Sequence, residues 1–321
     1  MQAGRLSEPN ELGVLDTGEA REAAASYDER VSLLRRLVLQ EDVNFLLTNR
    51  IPRRLATRFM GWFSRLEIGW LTRLSIALWR RFSPDLDLAE AKELRFRSLH
   101  ACFTRELRDG ARTVDLDPAV VVSPCDAEVG ECGRVVADQV IQAKGFPYSL
   151  LDLLVDPELA ERHSDGIFVT LRLRSSMYHR FHAPSACRVR RIDYVSGDTW
   201  NVNPITLARI ERLFCKNERA VVDLELPTAG EAITLVPVAA ILVASIRLHC
   251  LSHPLDLKYR GANRIECDAS YVRGQEMGYF EHGSTILVFA SGPFELAPGI
   301  EKGASLRMGE PLLRRIGKRP T

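Results

Sequence analysis

The sequence contains no CxxC pair. Its seven cysteines, at positions 102, 125, 132, 187, 215, 250 and 267, are scattered and odd in number. That pattern argues against a disulfide framework and against a cysteine zinc site, and it favours a reducing compartment. An excess of charge is missing too: 43 Lys and Arg stand against 42 Asp and Glu, for a net charge of +1. A chain so balanced is not, as a whole, a binder of nucleic acid. The opening residues, MQAGRLSEPNELGVLD, lack the basic start and apolar stretch of a signal peptide. The longest apolar run, LVPVAAILVASI at 235–246, is too short to cross a bilayer and contains Pro237. The expectation is a protein that does not span a membrane, although it can lie on one. Internal repeats and low-complexity tracts are also missing.

What remains is ordinary for a globular protein: 321 residues, 46% hydrophobic and 26% charged, enough to bury a real core. Residues 1–42 hold nine acidic residues and five arginines, with few large apolar residues before Val31. They read as an acidic, partly disordered tail with a short helix over 28–40. Residues 43–110 read as a helical segment and residues 111–321 as a β-rich core.

Between Arg50 and Arg81 eight arginines face a single acid, Glu67, and three of the four tryptophans gather there. At helical spacing Phe59, Phe63, Leu66, Trp70, Leu74 and Ala77 share one face, with Arg58 and Arg65 at its margin. Gly61 and Gly69 are expected to break the run into two short helices. Tryptophan beside arginine on an amphipathic helix suits the boundary between lipid headgroups and acyl chains. Packing against the rest of the protein is the competing reading. A further helix is expected over 88–107.

Beyond Gly110 the texture turns to strands. DGIFVTLRLR (165–174) alternates, with Ile167, Val169, Leu171 and Leu173 on one face. AVVDLELPT (220–228) alternates likewise, and VVVSP, AAILVASIRL and STILVFASG add three more strands. Short helices are expected over 149–163 and 205–214. The fold class is α+β, with N-terminal amphipathic helices followed by a mostly antiparallel β-sheet core.

Three clusters carry candidate chemistry. VVSPCDAEVG (121–130) places Asp126 just after a strand and a proline, where an aspartate is usually a turn residue. MYHRFHAPSA (177–186) brings His179 and His182 close together. They suit acid–base work near neutral pH. A metal site is a weaker reading, because no carboxylate or cysteine lies close by. A surface turn is the third. In RGQEMGYFEHGSTILVF (273–289) glycines surround Ser284. A serine there is usually part of a turn. As a nucleophile it needs a base, and the base needs an orienting partner. AKGFPYSLLDLL (143–154) and VNPITLARIERLFCKNERAVV (202–222) read as a lid or pocket segment and a strand-entry loop, without assigned chemistry.

In order along the chain, FTRELRDGARTVD, VVSPCD, QAKGFPYSLLDLL, YHRFHAP, VNP with LFCKNERAVV, VPVAAILVASI and RGQEMGYFEHGSTI resemble the phosphatidylserine decarboxylase family of pyruvoyl-dependent, self-processing enzymes. The resemblance runs from about residue 43 to residue 317. It implies a precursor that cuts itself between Gly283 and Ser284, into a β chain of residues 1–283 and an α chain of residues 284–321. It further implies that Asp126 orients His182, that His182 deprotonates Ser284, and that the Ser284 hydroxyl attacks the Gly283 carbonyl. Ser284 would then become the pyruvoyl group. That carbonyl would form a Schiff base with phosphatidylserine and draw electrons as carbon dioxide leaves. His182 would return the proton, Tyr178 and His179 would hold the headgroup, and phosphatidylethanolamine would be released. No metal and no free cofactor is required.

A lipid substrate also favours the membrane reading of the helical segment. Phe59, Trp62, Phe63, Leu66 and Trp70 become the expected contact with an anionic lipid surface. The resemblance implies a peripheral place on the cytoplasmic face of the bacterial inner membrane, and a homodimer is common in the family. Two departures stand out: His282 replaces the leucine usual before Gly-Ser-Thr, and Ala127 replaces a glycine after Asp126. Ala127 is tolerable only where no positive φ is required. Two other functions fit the same residues. One is a lipid-binding homologue that does not mature; the other is a serine hydrolase using the triad on an external ester.

Overall fold

The computed structural model describes residues 52–141, 146–240, 245–256, 258–281 and 284–317. The acidic tail and its expected helix lie outside the described residues.

The described chain begins with helices α1 (Arg53–Phe63) and α2 (Gly69–Phe82). Gly61 sits inside α1 and does not break it. A glycine there costs about 1 kcal/mol relative to alanine, which packing can offset. The break falls instead at residues 64–68, where the Ser64 N–H bonds Met60 O at 2.8 Å and the Arg65 N–H bonds Trp62 O at 3.2 Å. The helix expected over 88–107 shrinks to α3 (Leu99–Phe103). Its first part pairs with its last: Lys92 N donates to Glu106 O and Arg108 N to Glu90 O, both at 2.9 Å. Ser98 then starts α3 by accepting from Ala101 N at 3.1 Å.

Strands β1 (Val120–Val122), β2 (Ala127–Arg134), β3 (Gln139–Ile141) and β4 (Pro147–Ser149) lead into α4 (Leu150–Leu154) and α5 (Pro157–Arg162). β5 (Ile167–Leu173), β6 (Arg180–His182) and β7 (Cys187–Val195) precede α6 (Pro204–Leu207) and α7 (Leu213–Lys216). Each of the two helices expected here is split. Val155, at φ 56°, and Pro157 interrupt the first, and Arg212, at φ 55°, ends the gap in the second. Next come β8 (Arg219–Glu225), β9 (Ala232–Ala239), β10 (Ser245–Leu248), β11 (Leu255–Asp256), β12 (Arg264–Tyr271) and β13 (Glu276–Phe280). β14 (Ser284–Ser291), β15 (Phe294–Leu296), β16 (Ser305–Leu306) and β17 (Pro311–Arg315) finish the chain.

The main sheet has eight strands in the order β12-β7-β8-β9-β14-β5-β2-β16, paired antiparallel. β9 and β14 lie in its middle, and both are unbroken apolar runs apart from Thr234, Ser284, Thr285 and Ser291. Such runs are buried on both faces, as these are. β5 is covered on both faces as well, since Phe168 and Thr170 are buried beside the alternating Val169 and Leu171.

A second sheet, β11-β10-β13-β6, carries the histidine strand. β13 passes between β10 and β6 only because residue 278 is glycine. A Cβ there would overlap the Arg247 carbonyl oxygen and lie 2.8 Å from the Phe181 ring. Only three residues separate β13 from β14. The two sheets therefore come together where Ser284 begins the central strand.

Candidate active site

Ser284 is the first residue of β14, paired with Leu173 of β5 on one side and Ala239 of β9 on the other. It is buried, and its hydroxyl has no hydrogen-bond partner among the described residues. Buried hydroxyls are normally satisfied, and that of the neighbouring Thr285 is left open in the same way. Gly283 and His282 lie outside the described residues. The KNERAVV stretch, which had no chemistry assigned, supports this strand indirectly. Asn217 donates to Ala239 O at 2.9 Å, and the buried Arg219 bonds the carbonyls of Leu153, Asp152, Cys215 and Asn217.

His182 is held from both ring nitrogens. Nδ1 lies 2.9 Å from Gly274 O, and Nε2 lies 3.1 Å from the Tyr178 hydroxyl. A carbonyl oxygen can only accept, so Nδ1 carries the proton and Nε2 keeps its lone pair, which takes the Tyr178 O–H. Burial holds the imidazole below its ordinary pKa. The Gly274 bond and the charges of Glu276 and Asp126 pull the other way, and Arg180 adds to the depression. The ring is thus neutral near pH 7 and ready to accept a proton. Gly274 is suited to this post by its φ of +76° and by the Val114 side chain, 2.7 Å from where a Cβ would stand.

Asp126 is close enough for its charge to reach His182, yet its oxygens are engaged elsewhere. Arg112 donates Nε to Oδ1 at 2.8 Å and Nη2 to Oδ2 at 2.5 Å, and the Met308 N–H donates to Oδ1 at 2.9 Å. Among the described residues no hydrogen bond joins Asp126 to His182, or His182 to Ser284. Orientation of His182 comes from the Gly274 carbonyl, while Asp126 contributes charge and ties residues 112 and 308 together. Ala127 sits in β2, outside the left-handed residues, so the glycine-to-alanine departure costs no strain.

His179 bonds Met177 O through Nδ1 at 2.8 Å, and its carbonyl accepts from Phe280 N at 3.0 Å. Its ring lies 4.1 Å from that of Phe103, which stacks on Trp79 of α2 at 5.7 Å. The helical layer thus packs directly against the histidine strand. Arg180 bonds Thr104 O twice and Glu276 at 2.7 Å, with its guanidinium 5.1 Å from the Tyr279 ring centre. A cleft of about 850 Å³ opens beside it, with Arg65, Lys92, Arg97, Arg105 and Tyr279 in its lining.

On the helices, Phe59, Trp62 and Trp70 are exposed, while Phe63 and Leu66 are half-buried. Phe63 stacks on Phe59 at 6.0 Å. The exposed stripes are Leu55, Phe59 and Trp62 on α1, and Trp70, Leu74, Leu78 and Phe82 on α2, each 56–66% exposed. Inward on α2 point Thr72, Ile76 and Trp79. No helix among the described residues is long and apolar enough to cross a membrane.

The sequence reading missed Arg112 and Gly274. Both lie inside quoted motifs, but a partner for Arg112 and a carbonyl acceptor at Gly274 are invisible without the fold.

The fold and site define an α+β protein whose central strand starts at a buried, unsatisfied serine, with a neutral histidine held in the adjoining sheet. The family model for phosphatidylserine decarboxylase matches residues 99–314. The phosphatidylserine decarboxylase proenzyme of Anaeromyxobacter sp. (strain K) is 36% identical over 273 residues, covering 82% of this chain and 94% of that one. The proenzyme of Brevibacillus brevis is 33% identical over 275 residues, covering 83% and 95%. That of Haemophilus influenzae is 32% identical over 274 residues, covering 81% and 92%. The chain belongs to the phosphatidylserine decarboxylase family.

Proposed function

We propose that this chain converts phosphatidylserine to phosphatidylethanolamine and carbon dioxide, after cutting itself before Ser284 and turning that serine into a pyruvoyl group. The observation that carries the reading is the buried Ser284 hydroxyl without a partner, standing in the Gly-Ser-Thr of a family of proenzymes.

In the self-cleavage, His182 Nε2 takes the Ser284 hydroxyl proton, giving up its bond from Tyr178. The Ser284 oxygen forms a bond to the Gly283 carbonyl carbon as the peptide C–N bond breaks and the nitrogen is protonated. Elimination then leaves a carboxylate on Gly283 and a dehydroalanine at position 284. Water replaces its nitrogen, ammonia departs, and a pyruvoyl group remains at the head of the α chain (284–321), with the β chain ending at residue 283. The negative charges of Asp126 and Glu276 favour the imidazolium that His182 becomes.

A pyruvoyl group supplies an electron-withdrawing carbonyl for a substrate amine. The residues present fit it: the site lies at the buried head of β14, where no described group competes for the Ser284 oxygen. His182 is the proton donor to the substrate carbon after carbon dioxide leaves, and Tyr178 and His179 hold the headgroup.

The exposed stripes of α1 and α2 lie on the bilayer surface. A substrate with two acyl chains stays in the bilayer, and Arg58, Arg73 and Arg80 stand exposed beside the stripes to meet anionic headgroups. Residues 43–110 are then the lipid-facing segment and 111–321 the catalytic core, placed peripherally on the cytoplasmic face of the inner membrane. A homodimer fits this reading.

The test is product formation. Purified protein mixed with phosphatidylserine vesicles should form phosphatidylethanolamine, measured by lipid mass spectrometry, and the Ser284→Ala variant should form none. A wild-type protein that binds the vesicles and leaves the lipid unchanged contradicts the proposal.

A further inference from the structure

Glu281 precedes the dipeptide His282-Gly283 and ends the described part of the chain before Ser284. Its side chain is only 15% exposed and reaches away from the sheet to the helical layer. One carboxylate oxygen meets the Arg65 guanidinium, and the other lies 3.4 Å from His100 Nε2. Burial alone would raise this carboxyl's pKa. The His100 imidazole and the Arg65 guanidinium outweigh that and hold it below its ordinary value.

The two partners are tied to neighbouring parts of the helical layer. Arg65 lies in the turn between α1 and α2, where its Nη1 also bonds Gly61 O at 3.0 Å. His100 lies in α3, and its backbone N–H bonds the carbonyl of the neighbouring Ser64 at 2.8 Å. On the other side of the cut, Ser284 is fixed between β5 and β9. Three Cα steps join residue 281 to residue 284, a span of at most about 11 Å. Residues 281 and 284 are thus each anchored, the first to the helical layer through its side chain and the second to the main sheet through its strand pairing.

We propose that Glu281 is a positioning residue for self-cleavage, holding the chain ahead of Ser284 through its joint contact with Arg65 and His100. The inference rests on the self-cleavage reading above. Glu281 takes no part in proton transfer; it limits the arrangements open to the scissile segment. Attack on a carbonyl needs the reacting atoms within about 3–3.5 Å, and a misplacement of about 1 Å can cost roughly 10²-fold in rate. The contact also joins the cut to α1 and α2, the helices that carry the exposed aromatic stripes.

The experiment follows the appearance of two chains with time in freshly translated full-length protein. Glu281→Gln keeps the shape of the side chain and removes its charge. It should slow cleavage by roughly 10-fold or more. Arg65→Glu alone should do the same. The double charge swap, Arg65→Glu with Glu281→Arg, should recover most of the rate. Exchanging the charges rebuilds the ion pair whatever its role, so the unfolding of the protein separates positioning from stability. Thermal unfolding of Glu281→Gln in the uncleavable Ser284→Ala background should match that of Ser284→Ala alone.

Wild-type rates in Glu281→Gln overturn the inference and leave the self-cleavage reading standing. Slowing that the charge swap fails to recover overturns it as well. A wild-type chain that stays whole overturns the self-cleavage reading, and the inference with it.

Discussion

A buried hydroxyl left without a partner costs on the order of 1–3 kcal/mol, and the Ser284 hydroxyl, at the head of a central strand, has none among the described residues. The conversion proposed for Ser284 would remove that cost. The environment of His182 suits the proton transfer proposed for it. Because its folded pKa is lowered, chiefly by burial, the base form is already dominant at neutral pH. The rate of self-cleavage should therefore be flat from pH 7 to 8 and fall only in acid, below the ordinary imidazole value. Timed cleavage of freshly translated chain across pH 5 to 8 measures this, and a rate still climbing steeply between pH 7 and 8 would contradict it. His182 stood out in the sequence as one of only seven histidines, while Asp126 and Ser284 were singled out only through the motifs that carry the family resemblance. Their exact connections were not legible. The Gly274 carbonyl that orients His182 is a backbone atom, aimed by a left-handed turn that no residue count reveals. Arg112, which takes both oxygens of Asp126, looked like one arginine among many.

At the scale of elements, α1 and α2 each present two faces with different jobs. Trp79 and Thr72 face inward, and Trp79 reaches His179 through Phe103. Leu55, Phe59 and Trp62, with Trp70, Leu74, Leu78 and Phe82, face outward and are exposed. Burying one large aromatic side chain in lipid is worth about 1.5–3 kcal/mol. The double variant Trp62→Ser with Trp70→Ser should thus weaken binding to anionic vesicles by roughly 10²-fold or more. Activity on detergent-dispersed substrate should be retained. Co-sedimentation with vesicles gives the comparison, and unchanged binding would place the membrane contact elsewhere. Of the residues that helical periodicity put on the expected lipid face, Phe59 and Trp70 are exposed, while Phe63 and Leu66 are half-buried. The long helix expected over 88–107 failed for a different reason. Residues 90–92 find partners in 106–108, and that distant pairing overrides local helix preference.

At the scale of the whole molecule, the proposed cut falls between β13 and β14, in two different sheets, and would leave the pairings of β14 intact. β14 is paired along its length with β9 and β5, which come from the other side of the cut. β16 and β17 pair with β2 and β1. Met308, beyond the cut, donates to Asp126, before it. Self-cleavage would thus yield two chains that remain one folded unit. The broad architecture was readable because the central strands are long apolar runs and the helical segment is marked by tryptophan and arginine. The separate four-stranded sheet was not, since it depends on Gly278 letting β13 pass between β10 and β6.

The most direct test of the central claim is the intact mass of the purified protein under denaturing conditions. The account predicts two chains for the wild type, residues 1–283 and 284–321, the smaller one lighter by one ammonia than a chain beginning with serine, and a single whole chain for Ser284→Ala. A wild-type protein found as one uncut chain, or a Ser284→Ala variant found as two, would contradict it.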